Sequence, residues 1–379
     1  MDFHHVIEWV AYSCLAGATF GCLYTAFAAF AVLRFGRGKT HAPGKPVPVT
    51  VLMPLCGHEP GLEARLRALA TQDYGAPVQI LCALHGADDP AIAVLQKVAA
   101  DLPQADPRLH GRNLKMSNLM NVLPRARHDV LLMIDSDILV RPDHVSRIVG
   151  ELQRGKAGAV TCLYTGVAEG GLWTRLSAEC TNMQFLPSVI VGLITRLAEP
   201  CFGATIALTR ATFERIGGLK PFVDHLWDDY AIGQAVRAAG LDVAVAPLTV
   251  GHVCWEGTAR EFFDYQLRFA RTVASIDPLG NFGAVITYPL ALALIALLLG
   301  AGAPALAIGA LALASRLALC GAINRRFGLG SPYWLLPLHD LAAFAVYVVG
   351  FFGGTVMWRG QRYRVHADGT LLQAPSQGS

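Results

Sequence analysis

The apolar positions fall into three regimes along the chain. Trp9 to Leu33 carries no charged residue and, at about 1.5 Å per residue, is long enough to cross a hydrocarbon core of roughly 30 Å. From Val49 to about residue 260, short apolar runs alternate with amphipathic stretches. Beyond Pro278 the apolar character returns and holds, with few charges, to Trp358.

The middle regime reads as strands and helices in turn. Val49–Leu55, Val78–Leu84, Val130–Ile134 and Val160–Tyr164 have the dense β-branched and aliphatic character of buried strands. Leu62–Ala70, Ala91–Leu102, Pro142–Leu152 and Asp229–Ala239 have helical spacing, with Pro142 at a first turn. This order predicts an α/β domain with a parallel, doubly wound sheet, in which ligands bind at the carboxyl ends of strands.

A cleaved signal peptide is disfavoured at the N-terminus, since Asp2 and Glu8 precede the apolar run and no basic residue does. Arg34, Arg37 and Lys39 follow it, which predicts a transmembrane helix over 1–36 with the next domain, 37–277, in the cytoplasm. In the C-terminal membrane region, 278–358, Gly300, Gly302 and Pro304 divide two segments, about 282–300 and 303–323. Arg325 and Arg326 then fall on the cytoplasmic side, and Arg316 has to snorkel or face protein. A last segment runs from Trp334 to Trp358. Three full crossings after the domain would carry the basic tail outside, against the charge rule. A re-entrant or interfacial segment, with His339 and Asp340 at its polar end, keeps 359–379 cytoplasmic.

Composition agrees. Of 379 residues, 53% are hydrophobic and only 16% charged, against roughly 25% charge in an ordinary soluble domain. The net charge of +3 is too small to call for nucleic acid. None of the nine cysteines pairs as C-x-x-C, which argues against structural zinc and fits reduced thiols. The dinucleotide fingerprint, the G-x-S-x-G elbow and H-E-x-x-H are all absent.

The chemistry gathers on acids at predicted strand and helix ends. Asp135-Ser136-Asp137 follows an apolar strand, where carboxylates are costly unless paired or cation-bound. Two on one turn offer oxygen ligands to Mg²⁺ or Mn²⁺, ions that also take phosphate oxygens. Asp228-Asp229 opens a helix, which suits either a general base or simple stabilisation of the helix end. Asp88-Asp89-Pro90 opens another, where capping is the plain alternative. In Glu261–Ser275, Arg268 and Arg271 share a face and can fork onto phosphate, or lie at lipid headgroups. Trp173–Leu197 reads equally as a membrane-facing acceptor entrance or as helical core.

In order along residues 48–366, these features resemble the ceramide glucosyltransferases, the family-21 glycosyltransferases, and in particular the bacterial branch that glycosylates hopanoids. That family carries three separated aspartates and then (Q/R)-x-x-R-W. The aspartates match Asp89, Asp135 and Asp229, and the last motif aligns as Tyr265-Gln266-Leu267-Arg268-Phe269. The stretches PLCGHEPGL, NLKMSNLMN, CFGATIAL, RIGGL and WRGQRYRV are also family-like. Tyr265 and Phe269 depart from the pattern.

The resemblance implies a GT-A type nucleotide-sugar-binding domain and an inverting transfer from a UDP-sugar, UDP-glucose or UDP-N-acetylglucosamine, to a hopanoid or ceramide-type lipid hydroxyl. Asp89 would contact the uridine side. Asp135 and Asp137 would hold the metal and diphosphate. Lys115 and Arg268 would bind phosphate, with Asp228 and Arg271 also in contact with substrate, and Asp229 would be the base. It implies an integral protein of a bacterial inner membrane. A processive polysaccharide synthase would want an intact tryptophan motif and more spans. A membrane transport component would want its polar groups inside the spans.

Overall fold

In the computed structural model, which describes residues 3–37, 45–98, 104–155, 157–352, 355–358, 361–366 and 369–373, the uncharged N-terminal run is one helix, α1 (Phe3–Arg34). The first half of the central domain alternates as its pattern predicts. It consists of β1 (Val49–Pro54), α2 (Leu62–Ala70), β2 (Val78–Leu84), α3 (Ala91–Val98), β3 (Gln104–Ala105), α4 (Leu114–Val122) and β4 (Val130–Met133). β1 is buried along its whole length. Val49, Val51 and Met53 enter one core with Leu62, Leu66 and Leu95, whereas Leu52 enters a second with Met116 and Leu119. Side chains alternate across a strand, and helices cover both faces of this sheet. The expected end of α3 at Leu102 lies outside the described residues, as do Lys39 and Arg359.

The second half comprises β5 (Ile138–Leu139), α5 (His144–Arg154), β6 (Ala157–Ala168), α6 (Leu172–Glu179), α7 (Leu186–Thr195), β7 (Ile206–Thr209), α8 (Arg210–Arg215), α9 (Asp228–Ala238) and β8 (Asp242–Cys254). α5 begins after Pro142 rather than at it, and the Pro142 carbonyl accepts from the Asp73 amide (2.8 Å). A π-helical turn, Cys180–Phe185, joins α6 to α7. The eight strands are ordered β3-β2-β1-β4-β7-β6-β8-β5. The predicted parallel arrangement holds for β3-β2-β1-β4 and for β6-β8, but β7 runs antiparallel to both β4 and β6, and β5 antiparallel to β8. The sheet is therefore mixed. The loop before β7 enters beside the carboxyl end of β4, where the Asp135 amide donates to Gly203 O (3.3 Å), so β7 can only run back along β4.

The C-terminal region holds α10 (Ala259–Ile276), opened by a Thr258–Glu261 capping box, then α11 (Pro278–Gly283), α12 (Pro289–Leu298), α13 (Gly302–Phe327) and α14 (Leu336–Gly350). Among the described residues, His4–Arg34, Gly302–Phe327 and Tyr333–Gly350 are long and apolar enough to cross a membrane. The segment expected as one span over 282–300 is instead bent by 69° between Pro278–Thr287 and Pro289–Leu298. Arg316 faces protein: its guanidinium donates to Asp340 Oδ1 (2.6 Å) and to the Met183 carbonyl (3.1 Å) in the π turn. The apolar segment expected to reach Trp358 is helical only to Gly350. Thr355–Trp358 is β9, which pairs with β10 (Gln361–Val365), and β10 pairs with β11 (Leu371–Gln373). This small sheet docks on the central domain through Leu226 N to Gly369 O (3.0 Å) and Leu371 N to Asp224 O (2.8 Å).

His144, the first residue of α5, is buried against the eight-stranded sheet, with Nε2 3.0 Å from Thr205 Oγ1, and burial holds its imidazole down at about 4. The unfolded chain takes up that proton near pH 6.5, so the contribution is present above 6.5 and lost as pH falls towards 4. By pH 5 this amounts to about 2 kcal/mol. Thermal melts of His144→Gln between pH 7 and 5 are expected to show a correspondingly smaller acid loss than the unaltered protein.

Candidate active site

The β4 strand delivers Asp135 to the carboxyl edge of the sheet. The Ile138 amide closes the Asp135-Ser136-Asp137 turn by donating to Asp135 O (3.2 Å). Under the turn lies Arg65, one of the largest fully buried side chains. Its Nε donates to Ser136 O (2.6 Å), its Nη1 to Pro60 O (2.7 Å), and its Nη2 to Glu59 Oε2 (3.2 Å). Ser136 Oγ donates to the other Glu59 oxygen (2.7 Å). A buried arginine with all its neighbours satisfied is a rigid support; removing one partner of such a pair costs about 3–5 kcal/mol.

Lys115, in the first turn of α4, joins the acids. Its Nζ lies 2.8 Å from Asp135 Oδ1 and 3.0 Å from Asp228 Oδ2. Asn113 caps α4 by accepting from Met116 N (3.1 Å). Its amide donates to Asp228 Oδ1 (3.2 Å) and to His225 O (2.8 Å). Asp229 accepts from Gly203 N at Oδ2 (2.9 Å) and from Tyr230 N at Oδ1 (2.8 Å). Gly203 is the meeting point: a Cβ there would stand 2.5 Å from Asp135 Oδ2 and 3.0 Å from Lys115 Nζ. On the other side Asp137 Oδ2 is 3.4 Å from His252 Nε2, and Tyr265 Oη is 3.4 Å from the same nitrogen.

These contacts set the charge states. Burial pushes the Asp135 carboxyl up to about 7, against the pull of Lys115 and with Asp137 and Asp228 adding to the push. Burial and the neighbouring Asp228 raise Asp229, partly offset by Lys115 and the two backbone amides. Burial also acts to raise Asp137, but His252 and Lys115 outweigh it and leave the carboxyl below its ordinary value. Burial favours neutral His252, yet Tyr265 and Asp137 hold its imidazolium well above the usual range. Lys115 stays charged: the three aspartates around it overcome its burial.

The structure thus brings together Lys115, Asp135, Asp137, Asp228 and Asp229. Asp89 is set apart from their ion pairs. It accepts from Gly57 N (2.9 and 3.1 Å) and from Ala91 N (2.9 Å), so it opens α3 and anchors the loop after β1. Arg268 lies over the Tyr265 ring, 5.0 Å from its centroid, and Phe269 packs against Phe185. Arg271 departs from the expected phosphate contact. Its Nη1 and Nη2 donate to Thr355 O (2.6 Å) and Phe352 O (2.9 Å), so those donors are committed to the chain after α14.

Sequence reading missed Gly203, His252, Glu59 and Arg65. Gly203 and Glu59 lie in the family-like stretches CFGATIAL and PLCGHEPGL, and Arg65 stands in the same helical stripe as Leu62, Leu66 and Leu69; His252 left no such signal.

Among the described residues no group of three or more His, Cys, Asp or Glu could hold a metal ion on its own. The oxygen donors of Asp135 and Asp137 nevertheless fit Mg²⁺ or Mn²⁺, which are commonly held by one or two carboxylates plus substrate phosphates. Four clustered carboxylates against Lys115 and His252 also leave negative charge for such an ion to balance.

The sequence profile of glycosyl transferase family 21 matches residues 14–371. The chain belongs to that family. Ceramide glucosyltransferase 1 of Caenorhabditis elegans is 23% identical over 206 residues, 52% of this chain and 44% of that protein. A ceramide glucosyltransferase of Gibberella zeae is 29% identical over 177 residues, 40% of this chain and 34% of that protein. This family-21 chain therefore spans less than half the length of either relative. A mannosyltransferase of Pyrobaculum calidifontis, solved with GDP-Man and Mn²⁺, superposes with a TM-score of 0.50 at 19% identity, covering 91% of this chain and 99% of that one. It shows the shared GT-A-like fold.

Gly203→Ala is expected to push Asp135 and Lys115 apart and to lower turnover about 100-fold, the usual cost of roughly 1 Å of misplacement. The melting temperature should stay close to that of the parent, because the clash falls in the cleft and not in either core. Steady-state kinetics beside a melting curve checks both.

Proposed function

We propose that this chain is an inverting, membrane-bound glycosyltransferase that moves a sugar from a UDP-sugar to a lipid hydroxyl. The observation that carries the reading is Asp229. Its carboxylate is fixed by the Gly203 and Tyr230 amides, adjoins the Lys115–Asp135 pair, and is made more basic by burial. As general base it takes the proton of the acceptor hydroxyl while that oxygen bonds to the anomeric carbon. The bond from that carbon to the diphosphate oxygen breaks on the opposite face, and the configuration inverts.

Asp89, at the loop after β1, serves the uridine side. Arg268 reaches the phosphates, and Asp228 orients Lys115 towards them. Asp135 and Asp137 would hold Mg²⁺ or Mn²⁺, which would supply positive charge against the departing diphosphate. UDP-glucose and UDP-N-acetylglucosamine are the donors considered, with a ceramide-type or hopanoid acceptor. The curated relatives support the ceramide-type choice by their names. The apolar helices support an integral membrane protein, with the catalytic domain on the cytoplasmic face of a bacterial inner membrane.

Purified protein incubated with labelled UDP-sugars and a lipid extract is expected to yield label that partitions into organic solvent. A long water-soluble polymer, or no transfer from any donor, overturns the reading. Asp229→Asn is expected to keep UDP affinity within about threefold while lowering turnover about 10³-fold, the scale of a lost general base; calorimetry and single-turnover kinetics measure the two separately. Asp135→Ala is expected to abolish the gain in UDP affinity that Mn²⁺ gives. In the unaltered protein Mn²⁺ alone should bind weakly and tighten when UDP is present.

A further inference from the structure

Tyr333–Gly350, the segment that contains α14, is long and apolar enough to cross a membrane, yet its two ends are fastened to the same body. Just before it, Leu335 belongs to one buried cluster with Leu176 of α6 and Phe262 of α10, and its first residue, Leu336, belongs to another with Leu163 of β6 and Leu186 of α7. Past its end, the carbonyls of Phe352 and Thr355 accept from Arg271 of α10, and β11 is bonded to Asp224 of the catalytic domain. A helix that starts and finishes on one side has not crossed.

The other helices fix where that side is. α1 and α13 end together, with Arg326 Nε donating to Phe35 O (2.6 Å) and Gly36 against the Pro247 carbonyl of β8. α12 packs against the earlier part of α1, where Leu292 meets Gly17, and turns into α13 at Gly300-Ala301. α12 and α13 thus leave the domain and return to it.

The faces of α14 are inverted relative to a soluble surface helix. Its exposed stripe, begun one turn upstream, is Trp334, Leu338, Leu341, Ala345, Val348 and Phe352, at spacings of three and four residues, with Trp334 65% and Phe352 69% exposed. Its polar residues point inward: His339 and Asp340 are buried, and Asp340 meets Arg316. Next to it Tyr347 Oη donates to Phe282 O (3.0 Å), and Phe282 and Leu279 of α11 are 70% and 85% exposed. Water would oppose so large an apolar stripe, whereas lipid would not.

We propose that α14 does not span the membrane. It lies in the domain-side leaflet with this stripe, continued by α11, facing lipid, and the chain crosses only by α1 and by the α12–α13 hairpin. This goes beyond the sugar-transfer reading and does not depend on it. It also places the arginines at the C-terminal ends of α1 and α13, and those of β10, on one side of the bilayer.

Protease-cleavable tags placed singly in the full chain test it: one between Gly300 and Ala301, one at Gly328–Leu329 and one after Ser379, each in sealed vesicles. The tags at 328–329 and at the C-terminus are expected to be cut from the same side, and the tag at 300–301 from the other. Opposite sides for 328–329 and the C-terminus overturn the proposal. Lipid contact is read in vesicles of brominated phosphatidylcholine as the fluorescence difference between the protein and Trp334→Phe. That difference is expected to be quenched more by bromine near the headgroup than by bromine near the chain end. Stronger quenching by the deep bromine overturns the in-plane placement. No quenching at any depth overturns the contact with lipid and leaves a protein partner as the cover.

Discussion

Carboxylates repel, and Asp135, Asp137, Asp228 and Asp229 lie in one cleft at the edge of one sheet. What makes that arrangement tolerable is the ammonium group of Lys115, shared between Asp135 and Asp228. It sits on the first turn of α4, a helix whose cap, Asn113, also grips Asp228 and the backbone before it. One short segment therefore fixes the cation and the acid opposite it in a single geometry. The other carboxylates are stabilised by different means: backbone amides hold Asp229, and an imidazolium holds Asp137. Each acid has its own partner, which is why their proton affinities diverge within one small space.

The turn carrying Asp135 and Asp137 is supported from below by Arg65, whose guanidinium is spent on Ser136, Pro60 and Glu59. Opposite, the wall formed by His252, Tyr265 and Arg268 gives a physical account of the departure from the family motif. Tyr265 supplies a hydroxyl to His252, and its ring carries Arg268. The aromatic residue thus steadies the arginine that the family retains.

Much of this was legible in the chain itself. Leu62–Ala70 and Val78–Leu84 have the bounds that their periodicity predicts, because local spacing and burial on a covered sheet point the same way. The acids of the cleft could be named from their places at strand and helix ends. The antiparallel strand β7 could not, since its four residues acquire direction only from the loop that returns to β4. Arg271 shows a related limit: its three-residue offset from Arg268 describes a helix face, but the carbonyls that engage its Nη1 and Nη2 belong to a segment about 80 residues further on. Gly203 lies in the family-like stretch CFGATIAL, but nothing in that stretch says that its missing side chain makes room for Asp135 and Lys115, and His252 is a single residue in an apolar run.

The small C-terminal sheet grips the backbone from Asp224 to Leu226 through Gly369 and Leu371, directly before the aspartate pair at 228 and 229. Those gripping residues follow α1, α12, α13 and α14 in the chain, so the backbone leading into the aspartate pair takes part of its support from beyond the apolar helices. Loosening the small sheet would slacken the approach to Asp228 and Asp229 without touching either carboxylate.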